Sequence, residues 1–133
     1  MLGELERVRK ILRELGKSLE SAAADPAPSR VHKLRTASRR VEAVAAVLDS
    51  ADPKRSRRLL KTIELVRKAA GGVRDMDVLM AHARKLRRYG AEQSLTSLLV
   101  YLEAARREHA AELTRVLDQR HKAILKEIKE YSK

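Results

Sequence analysis

The segment SRVHKLRTASRR places a histidine and several cationic side chains on one face of a predicted helix. At 100° per residue, His32, Arg35 and Arg39 fall on the same side of this helix. Lys33 and Arg40 lie on one flank of that row. The opposite side is apolar and predicts the buried strip of the helix: Leu34, Ala37, Val41, Val44, Ala45 and Leu48. We therefore expect the imidazole to belong to a cationic face.

Such a row of guanidinium groups is suited to binding an oxyanion chain. Each guanidinium can donate two N–H hydrogen bonds to non-bridging oxygens. Several of them within one Debye length create a potential that no single group supplies. The imidazole of His32 can donate a neutral hydrogen bond, or it can gain a proton when phosphate oxygens arrive. The alternative interpretation is a solvated polar face without a ligand, which describes most charge runs in proteins.

The segment GGVRDMDVL is the second stretch that suggests an anion site. Gly71 and Gly72 favour the left-handed backbone that ends a helix, and Asp75 then caps the helix that follows. Asp77 would sit near the positive end of the helix dipole. Arg74 would lie just outside, where its side chain and the free backbone N–H groups can receive a phosphate. The alternative is capping alone, combined with an ion pair between arginine and aspartate.

The charge balance of the chain predicts an anionic partner. Its 133 residues fit a single domain spanning residues 1–133. They include 30 Lys and Arg against 18 Asp and Glu, which gives a net charge of +12. With no Trp, no Phe and three Tyr, the chain lacks the aromatic platforms on which unpaired bases stack. This composition disfavours single-stranded nucleic acid as the partner.

Cysteine content and hydropathy bound the location of the protein and the chemistry open to it. The absence of cysteine excludes disulfides, a thiolate zinc site and a cysteine nucleophile, and it suits a reducing cytoplasm. Apolar residues near the N-terminus alternate with charges, so we expect neither a signal peptide nor a membrane span. We therefore expect a cytoplasmic protein without a membrane partner.

The histidines other than His32 give no sign of a metal site. No two histidines of the chain have the i, i+4 spacing of a helical metal site. His109 falls on the apolar strip of the last predicted helix, so we expect it to be a packed core residue. His82 and His121 flank basic surface. We expect no metal and no other cofactor.

Apolar periodicity predicts helices and no strand. β-branched residues are sparse, and no segment alternates with period two. Ser29 is the predicted N-cap of the second helix, and Asp52 with Pro53 in the first helical position begins the third. The predicted helices run from about Leu2 to Ala24, from Ser29 to Asp49, from Pro53 to Ala70 and from Asp75 to Tyr89. After Gly90 the apolar series continues to the C-terminus as one long helix, or as two joined by a subtle bend. Short loops between them favour an all-α antiparallel bundle of four to five helices with a long C-terminal helix.

The last predicted helix is much longer than the others. At about 40 residues it would span ~60 Å and overhang its own bundle. Apolar residues continue along the overhang: Leu113, Val116, Leu117, Ile124 and Ile128. An apolar stripe in water favours self-association. The alternative is a kink near residues 108–110 that folds the helix back.

Two motifs together carry a resemblance to a known family. The segment VHKLRTASRR, followed some thirty residues later by VRDMDVL, resembles the CHAD domain, the conserved-histidine α-helical domain. In that family a His-x-x-Arg-x-x-x-Arg-Arg helix and an Arg-Asp-x-Asp-Val segment recur in one helical bundle. The resemblance implies that Asp75 and Asp77 orient the ligand-binding side chains. The ligand candidates that it implies are His32, Arg35, Arg39, Arg40 and Arg74. We add Lys33, which flanks His32, and, as a weaker candidate, Lys61.

The resemblance also implies a function and an assembly. Members of the family bind inorganic polyphosphate on a basic surface, and this implies no reaction and no catalytic residue. They are usually about twice as long as this chain, with two similar bundles related by a pseudo-twofold axis. This chain has one His-x-x-Arg helix and resembles a half-length version. A lone half would bury the exposed surface most simply by pairing with a second copy, so we expect a homodimer.

Three other classes of function remain open at this stage. Nucleic acid, as tRNA or DNA, is favoured by the high pI but disfavoured by the lack of a helix-turn-helix signature. An enzyme could use His32 as nucleophile or acid, although phosphoryl transfer normally needs a carboxylate-held metal or a phosphate-cradling loop, and neither is evident. A helical scaffold would recruit a protein partner through the last helix.

Overall fold

Five α-helices and one 3₁₀ turn make up the part of the chain that the computed structural model describes, residues 2–131. The side chains of Leu2 and Ala51 lie outside this description. The helices are α1 (Leu2–Ala24), α2 (Pro28–Ala43), α3 (Ala45–Ala51), α4 (Pro53–Lys85) and α5 (Glu92–Tyr131), and the 3₁₀ turn Leu86–Tyr89 joins the last two. No strand occurs between residues 2 and 131. The predicted all-α class with a long C-terminal helix is confirmed.

The turn between α1 and α2 is built by two prolines. α1 ends at Ala24, as predicted, because Pro26 and Pro28 cannot continue the helical hydrogen-bond ladder. The prediction that Ser29 caps α2 is wrong. Pro28 occupies the first helical position and Ala27 is the N-cap. The fixed φ angle of proline is already suited to a first turn, so the helix begins earlier than a serine cap would place it.

The second predicted helix is divided into α2 and α3. Val44 leaves the helical conformation, with φ −102° and ψ 18°, so the prediction of one helix to Asp49 is wrong. The break turns the chain so that Leu48 remains in the core while Asp49 accepts a hydrogen bond from Ser56. The next helix starts as predicted. The Asp52 side chain accepts a hydrogen bond from the backbone N–H of Arg55 over 3.2 Å.

The glycine pair does not end a helix, contrary to the prediction. α4 runs without interruption for 33 residues, so the two helices predicted on either side of Gly71 and Gly72 are one. Glycine costs about 1 kcal/mol relative to alanine inside a helix. Close packing explains its presence here, because a Cβ atom at Gly72 would lie 2.5 Å from Nδ1 of His109 on α5. His109 itself is exposed to solvent, so the prediction that it is a packed core residue is wrong.

Four helices enclose the main core in a ring. α1 packs against α2 and α5, α4 packs against both of these as well, and α3 lies against α4. α4 and α5 run antiparallel, because Arg55 pairs with Glu127 at one end of the bundle and Asp77 pairs with Arg106 at the other. The largest buried side chains come from every helix and include Leu12, Leu34, Leu48, Ile63 and Leu113.

The part of the chain that overhangs the bundle differs from the prediction. α5 is one unbroken helix of 40 residues with no interruption at residues 108–110. Its C-terminal half does not overhang. The apolar residues predicted to be in water lie in the main core: Leu113, Val116, Leu117, Ile124 and Ile128. Instead the end of α4 and the beginning of α5 extend past the α1–α2 turn.

This extension, residues 78–105, is called the arm below. The arm has a small core of its own, separate from the main core and formed by Met80, Ala83, Leu95, Leu99 and Leu102, with Met76 packed against it. At its tip Gly90 adopts a φ angle of 91°, a conformation that glycine allows without steric cost. None of the helices within residues 2–131 has a stretch apolar and long enough to cross a bilayer.

Candidate functional site

α2 separates an apolar side from a cationic side, and its packing explains which residues stay in solvent. Its buried residues are Val31, Leu34, Ala37, Ser38 and Val41. Because these residues face α1 and α4 across the core, the remaining positions project outward. The exposed ones are His32, Lys33, Arg39 and Arg40, and Arg35 is half-buried. We call these five residues, together with Arg74 on α4, the basic face.

Arg35 reaches from α2 across to α4. Its Nε atom would lie 3.7 Å from a Cβ atom built on Gly71, so the side chain passes over the glycine backbone. Arg74 lies one turn beyond Gly71 on the same strip of α4 and is also half-buried. The two arginines therefore lie along the contact between α2 and α4 on different helices, although they are 39 positions apart in the sequence.

His32 lies on the other side of α2, toward α1. It lines an open groove of about 440 Å³ with Lys33 and Arg40 from its own helix. α1 contributes Lys17, Ser18 and Glu14 to the same groove. Arg39 falls between the two grooves on the helical wheel. The basic face therefore follows α2 and opens toward a neighbouring helix on each side.

Most cations of the basic face have no acidic partner within the chain. Among residues 2–131, no salt bridge and no side-chain hydrogen bond involves His32, Lys33, Arg35, Arg39 or Arg74. Arg40 is the exception, since its Nη1 lies 3.3 Å from a carboxylate oxygen of Glu14. Both side chains of that pair are largely exposed, so the pair stabilises the fold little and can open in favour of another anion.

Arg74, Asp75 and Asp77 do not form the predicted helix N-terminus. All three lie inside α4, where the backbone N–H groups are already used in the helix, so no free amides are present to receive a phosphate. Asp75 is exposed. Its predicted role as a cap is wrong, and so is the placing of Asp77 in a first turn.

Asp77 instead fixes the turn that precedes α2. Its carboxylate is 7% exposed and accepts a hydrogen bond from Nε of Arg106 over 2.6 Å. Nη2 of Arg106 also donates to the backbone carbonyl of Pro26 over 2.8 Å. One buried ion pair thus connects α4, α5 and the α1–α2 turn. It holds the start of α2 at a fixed position relative to Arg74.

Comparison with known proteins places the chain in a family. A family model for the CHAD domain matches residues 6–132, nearly the whole chain. The chain belongs to the CHAD family. No curated protein and no solved structure matches it. The two motifs that carry the resemblance lie on α2 and α4 of this CHAD chain, and these two helices pack against each other.

Lys61 lies apart from the basic face of the CHAD chain. It is on α4 ten residues before Gly71, a distance of about 15 Å along the helix. There it lines a shallow depression with Glu42, Arg57 and Glu64. Two of these neighbours are acidic. The structure therefore does not bring Lys61 together with His32 or Arg35.

Three residues around the site of this CHAD chain were missed by sequence reasoning. Lys17 and Ser18 carry no signal in the sequence, because only the packing of α1 on α2 brings them to His32. Arg106, in contrast, does carry a signal in the sequence. It occupies the apolar strip of α5 between Leu102 and Leu113, and a cation at such a position needs an acidic partner.

Metal ligands are not grouped in the described part of this CHAD chain. Within residues 2–131 no cluster of three or more His, Asp or Glu side chains is arranged to hold a metal ion. The side chains that the basic face offers are hydrogen-bond donors with positive or neutral charge. Their chemistry is suited to holding phosphate oxygens.

Proposed function

We propose that this chain is a non-catalytic module that binds inorganic polyphosphate through the basic face and the adjoining α1 groove. The observation that carries the proposal is a contrast among half-buried arginines. Arg55, Arg67 and Arg106 each pair with a carboxylate of the chain. Arg35 and Arg74 are also half-buried but have no such partner among the described residues. Arg9 on α1 shares this property, and Arg30 donates only to the backbone carbonyl of Ser21. Arg35 and Arg74 differ from these two in that they lie on the two packed helices that carry the family motifs. Donors kept without a partner in this way are available to an external anion.

The extent of the basic face favours a polymer over a single phosphate. The candidate groups run from Lys17 on α1, across α2, to Arg74 on α4. Since packed helices lie 8–10 Å apart, this path is roughly 20 Å long. One phosphate ion can contact only one part of it, whereas a linear chain can contact all parts at once. The family membership of the chain supports the same ligand.

A binding role without catalysis is supported by the surroundings of His32. A nucleophile or general acid normally has a hydrogen-bonded partner that orients it. His32 makes no hydrogen bond or ion pair with residues of the described chain. Incubation of the protein with polyphosphate and Mg²⁺ tests this point. Stoichiometric binding without release of phosphate is the expected result, and catalytic release would contradict it.

Binding to long-chain polyphosphate at several salt concentrations tests the proposal directly. We expect the logarithm of the affinity to fall linearly with the logarithm of salt concentration, by about 0.7 per contact if single-stranded nucleic acid is a guide. The variant Arg35→Gln/Arg39→Gln should bind more weakly and show a shallower slope. The matched control is Arg87→Gln/Arg88→Gln, which removes the same charge at the tip of the arm. Equal losses in both variants would mean that only net charge matters.

Competition separates polyphosphate from the other candidate ligands. Duplex DNA and tRNA are added to the polyphosphate complex at matched phosphate concentration. Polyphosphate should remain bound. Displacement by either nucleic acid would favour the alternative function of nucleic-acid binding. If no anion binds at all while the chain still associates with itself, the role of a helical scaffold is favoured.

The proposal includes a homodimer. A second copy would bring two basic faces into one particle, so that a long chain contacts both. Binding to the second face is then intramolecular, which raises the overall affinity without any new contact.

A further inference from the structure

An apolar stripe runs along the outer side of α4 and onto Leu86, the first residue of the 3₁₀ turn that follows. Leu65, Leu79 and Leu86 are about half exposed, at 46%, 48% and 50%. Their positions differ by multiples of seven residues, and Gly72 is the second of the four positions in this series. Residues seven apart lie on one side of a helix, with a drift of only about 20° per heptad. The three leucines therefore lie on one side of the chain, with an interruption at Gly72 and with the exposed polar residues Lys68, Asp75 and His82 on the flank.

Two residues of α5 widen this stripe on the arm. Leu98 and Tyr101 are 43% and 69% exposed. Leu98 lies eleven residues, or about three turns, before His109, so both are on the same side of α5. His109 contacts the Gly72 position of α4, and this contact places Leu98 beside the stripe. Because the helices are antiparallel, Leu98 is level with the segment between Leu79 and Leu86.

The stripe contains both a projection and a hollow. The projection is Leu79, flanked by Tyr101. The hollow is a groove of about 470 Å³. Its apolar lining is Leu65, Ala69, Gly72 and Val116, and the rest of its lining is His109 and the polar side chains Lys68, Glu112, Arg115, Gln119 and Arg120. The place that a side chain at Gly72 would take is filled by the His109 ring, which forms one side of the groove. Projection and hollow are seven residues apart on α4, which corresponds to about 10.5 Å.

We infer that this stripe is the surface through which two copies of the chain pair. In an antiparallel arrangement of two α4 helices, Leu79 of each copy lies opposite Gly72 of the other. The same twofold axis, between residues 75 and 76, places Leu86 opposite Leu65. Each copy thus supplies the projection for the other's hollow, which is the self-complementarity that a twofold interface requires. The inference concerns the homodimer of the proposed function and does not depend on polyphosphate binding.

The exposed area agrees with an interface of this kind. The five large side chains of the stripe expose on the order of 500 Å², more than half of the ~800 Å² that each partner buries in a standard interface. An apolar patch of about 300–600 Å² on a monomer is often functional. The twofold axis passes within two residues of Arg74, so the basic faces of the two copies lie at nearly the same height in the dimer.

Molecular mass in solution tests the surface. The wild-type chain should have twice the 15.0 kDa of one copy at micromolar concentration. Leu79→Arg should have the mass of one copy, with unchanged helix content by circular dichroism. Val100→Arg is the matched control, because Val100 is 61% exposed on the same arm but lies on the opposite side of α5 from Leu98. A monomeric wild type, or a dimeric Leu79→Arg variant, overturns the inference.

Cross-linking tests the register of the pairing. The chain has no cysteine, so Leu65→Cys and Leu86→Cys each carry a single thiol. Under oxidation a mixture of the two variants should form a covalent dimer that contains one copy of each. Neither variant should cross-link alone, because like positions are about 31 Å apart in the antiparallel arrangement. Efficient cross-linking of Leu86→Cys with itself overturns this arrangement.

Two further measurements separate the inference from its competitors. If the wild type stays monomeric but binds vesicles of anionic lipid and Leu79→Arg does not, the stripe is a membrane-binding surface and the inference fails. Binding of short polyphosphate by the monomeric Leu79→Arg variant supports both proposals. A wild-type dimer that binds no polyphosphate leaves the pairing surface intact and refutes the proposed function alone.

Discussion

Arg35 crosses α4 directly above Gly71, with its Nε atom 3.7 Å from the position that a Cβ atom would occupy. At the next residue, Gly72, a Cβ atom would lie only 2.5 Å from Nδ1 of His109. The two glycines therefore have different roles in the same helix. Gly71 leaves an ordinary van der Waals gap below a candidate ligand-binding arginine, whereas Gly72 permits the close approach of α5.

The two glycines should respond differently to alanine. Gly71→Ala should raise the free energy of unfolding by about 1 kcal/mol, because alanine is the better helix former and the new methyl group fits. Gly72→Ala should stabilise the fold less than Gly71→Ala does, or should destabilise it, because the His109 ring must move to make room for the new methyl group. Denaturant unfolding measures both. The alanine at position 72 should become favourable once His109→Ala removes the ring, and an unchanged effect in that background would contradict the proposed contact.

The two aspartates of the RDMD segment should also behave differently. Asp77→Asn should destabilise the fold by about 3 kcal/mol, since it leaves the half-buried Arg106 without its carboxylate. Polyphosphate binding should weaken as well, because the α1–α2 turn loses its attachment to Arg106. Asp75→Asn is the control. Asp75 is exposed, so its loss should change stability little and raise the affinity for a polyanion slightly.

Lys17 should contribute to polyanion binding although it lies outside both sequence motifs. It shares the α1–α2 groove with His32. Lys17→Gln should lower the affinity for polyphosphate by about two- to fivefold, since an exposed ion pair is worth up to ~1 kcal/mol. Lys129→Gln removes an equal charge near the end of α5 and should have a smaller effect. If titrations give the same affinity for both variants, the groove is not part of the site.

The burial of Tyr131 leads us to expect that the fold loses stability at high pH. Burial is the main cause that raises the pKa of its phenol, although the nearby Arg55 opposes this effect. The neutral form is therefore favoured in the folded state. The stability that the neutral phenol contributes is complete below the pKa that Tyr131 has in the unfolded state. It is lost as the pH rises through the pKa of the folded state. Tyr131→Phe should reduce this alkaline loss.

The same substitution should be tolerated at neutral pH. The hydroxyl of Tyr131 is buried and finds no hydrogen-bond partner within residues 2–131, so its removal costs no hydrogen bond there. The centroid of the ring lies 5.6 Å from the guanidinium carbon of Arg55, and phenylalanine keeps this contact. Thermal unfolding at neutral and alkaline pH provides the measurement. A large loss of stability at neutral pH would contradict this account.

Local signals in the sequence predicted the parts of the fold that depend on a few neighbouring residues. The end of α1 follows from two prolines, and the start of α4 from an aspartate cap before Pro53. The apolar and cationic sides of α2 follow from helical periodicity, which also indicated that His32 lies in solvent. Each of these features is decided within one or two turns of helix, so the sequence contains the whole interaction.

Tertiary structure alone decided the features that join distant segments. The continuity of α4 through Gly71 and Gly72 depends on a helix packed against it 37 residues later in the chain, at His109. The partner of Asp77 is Arg106, on another helix, and the arm exists because the C-terminal half of α5 returns to the main core. Helix propensity is a matter of about 1 kcal/mol per glycine, and burial against another helix outweighs it. The residue types thus determined which surfaces are cationic or apolar, and only packing decided which of them meet.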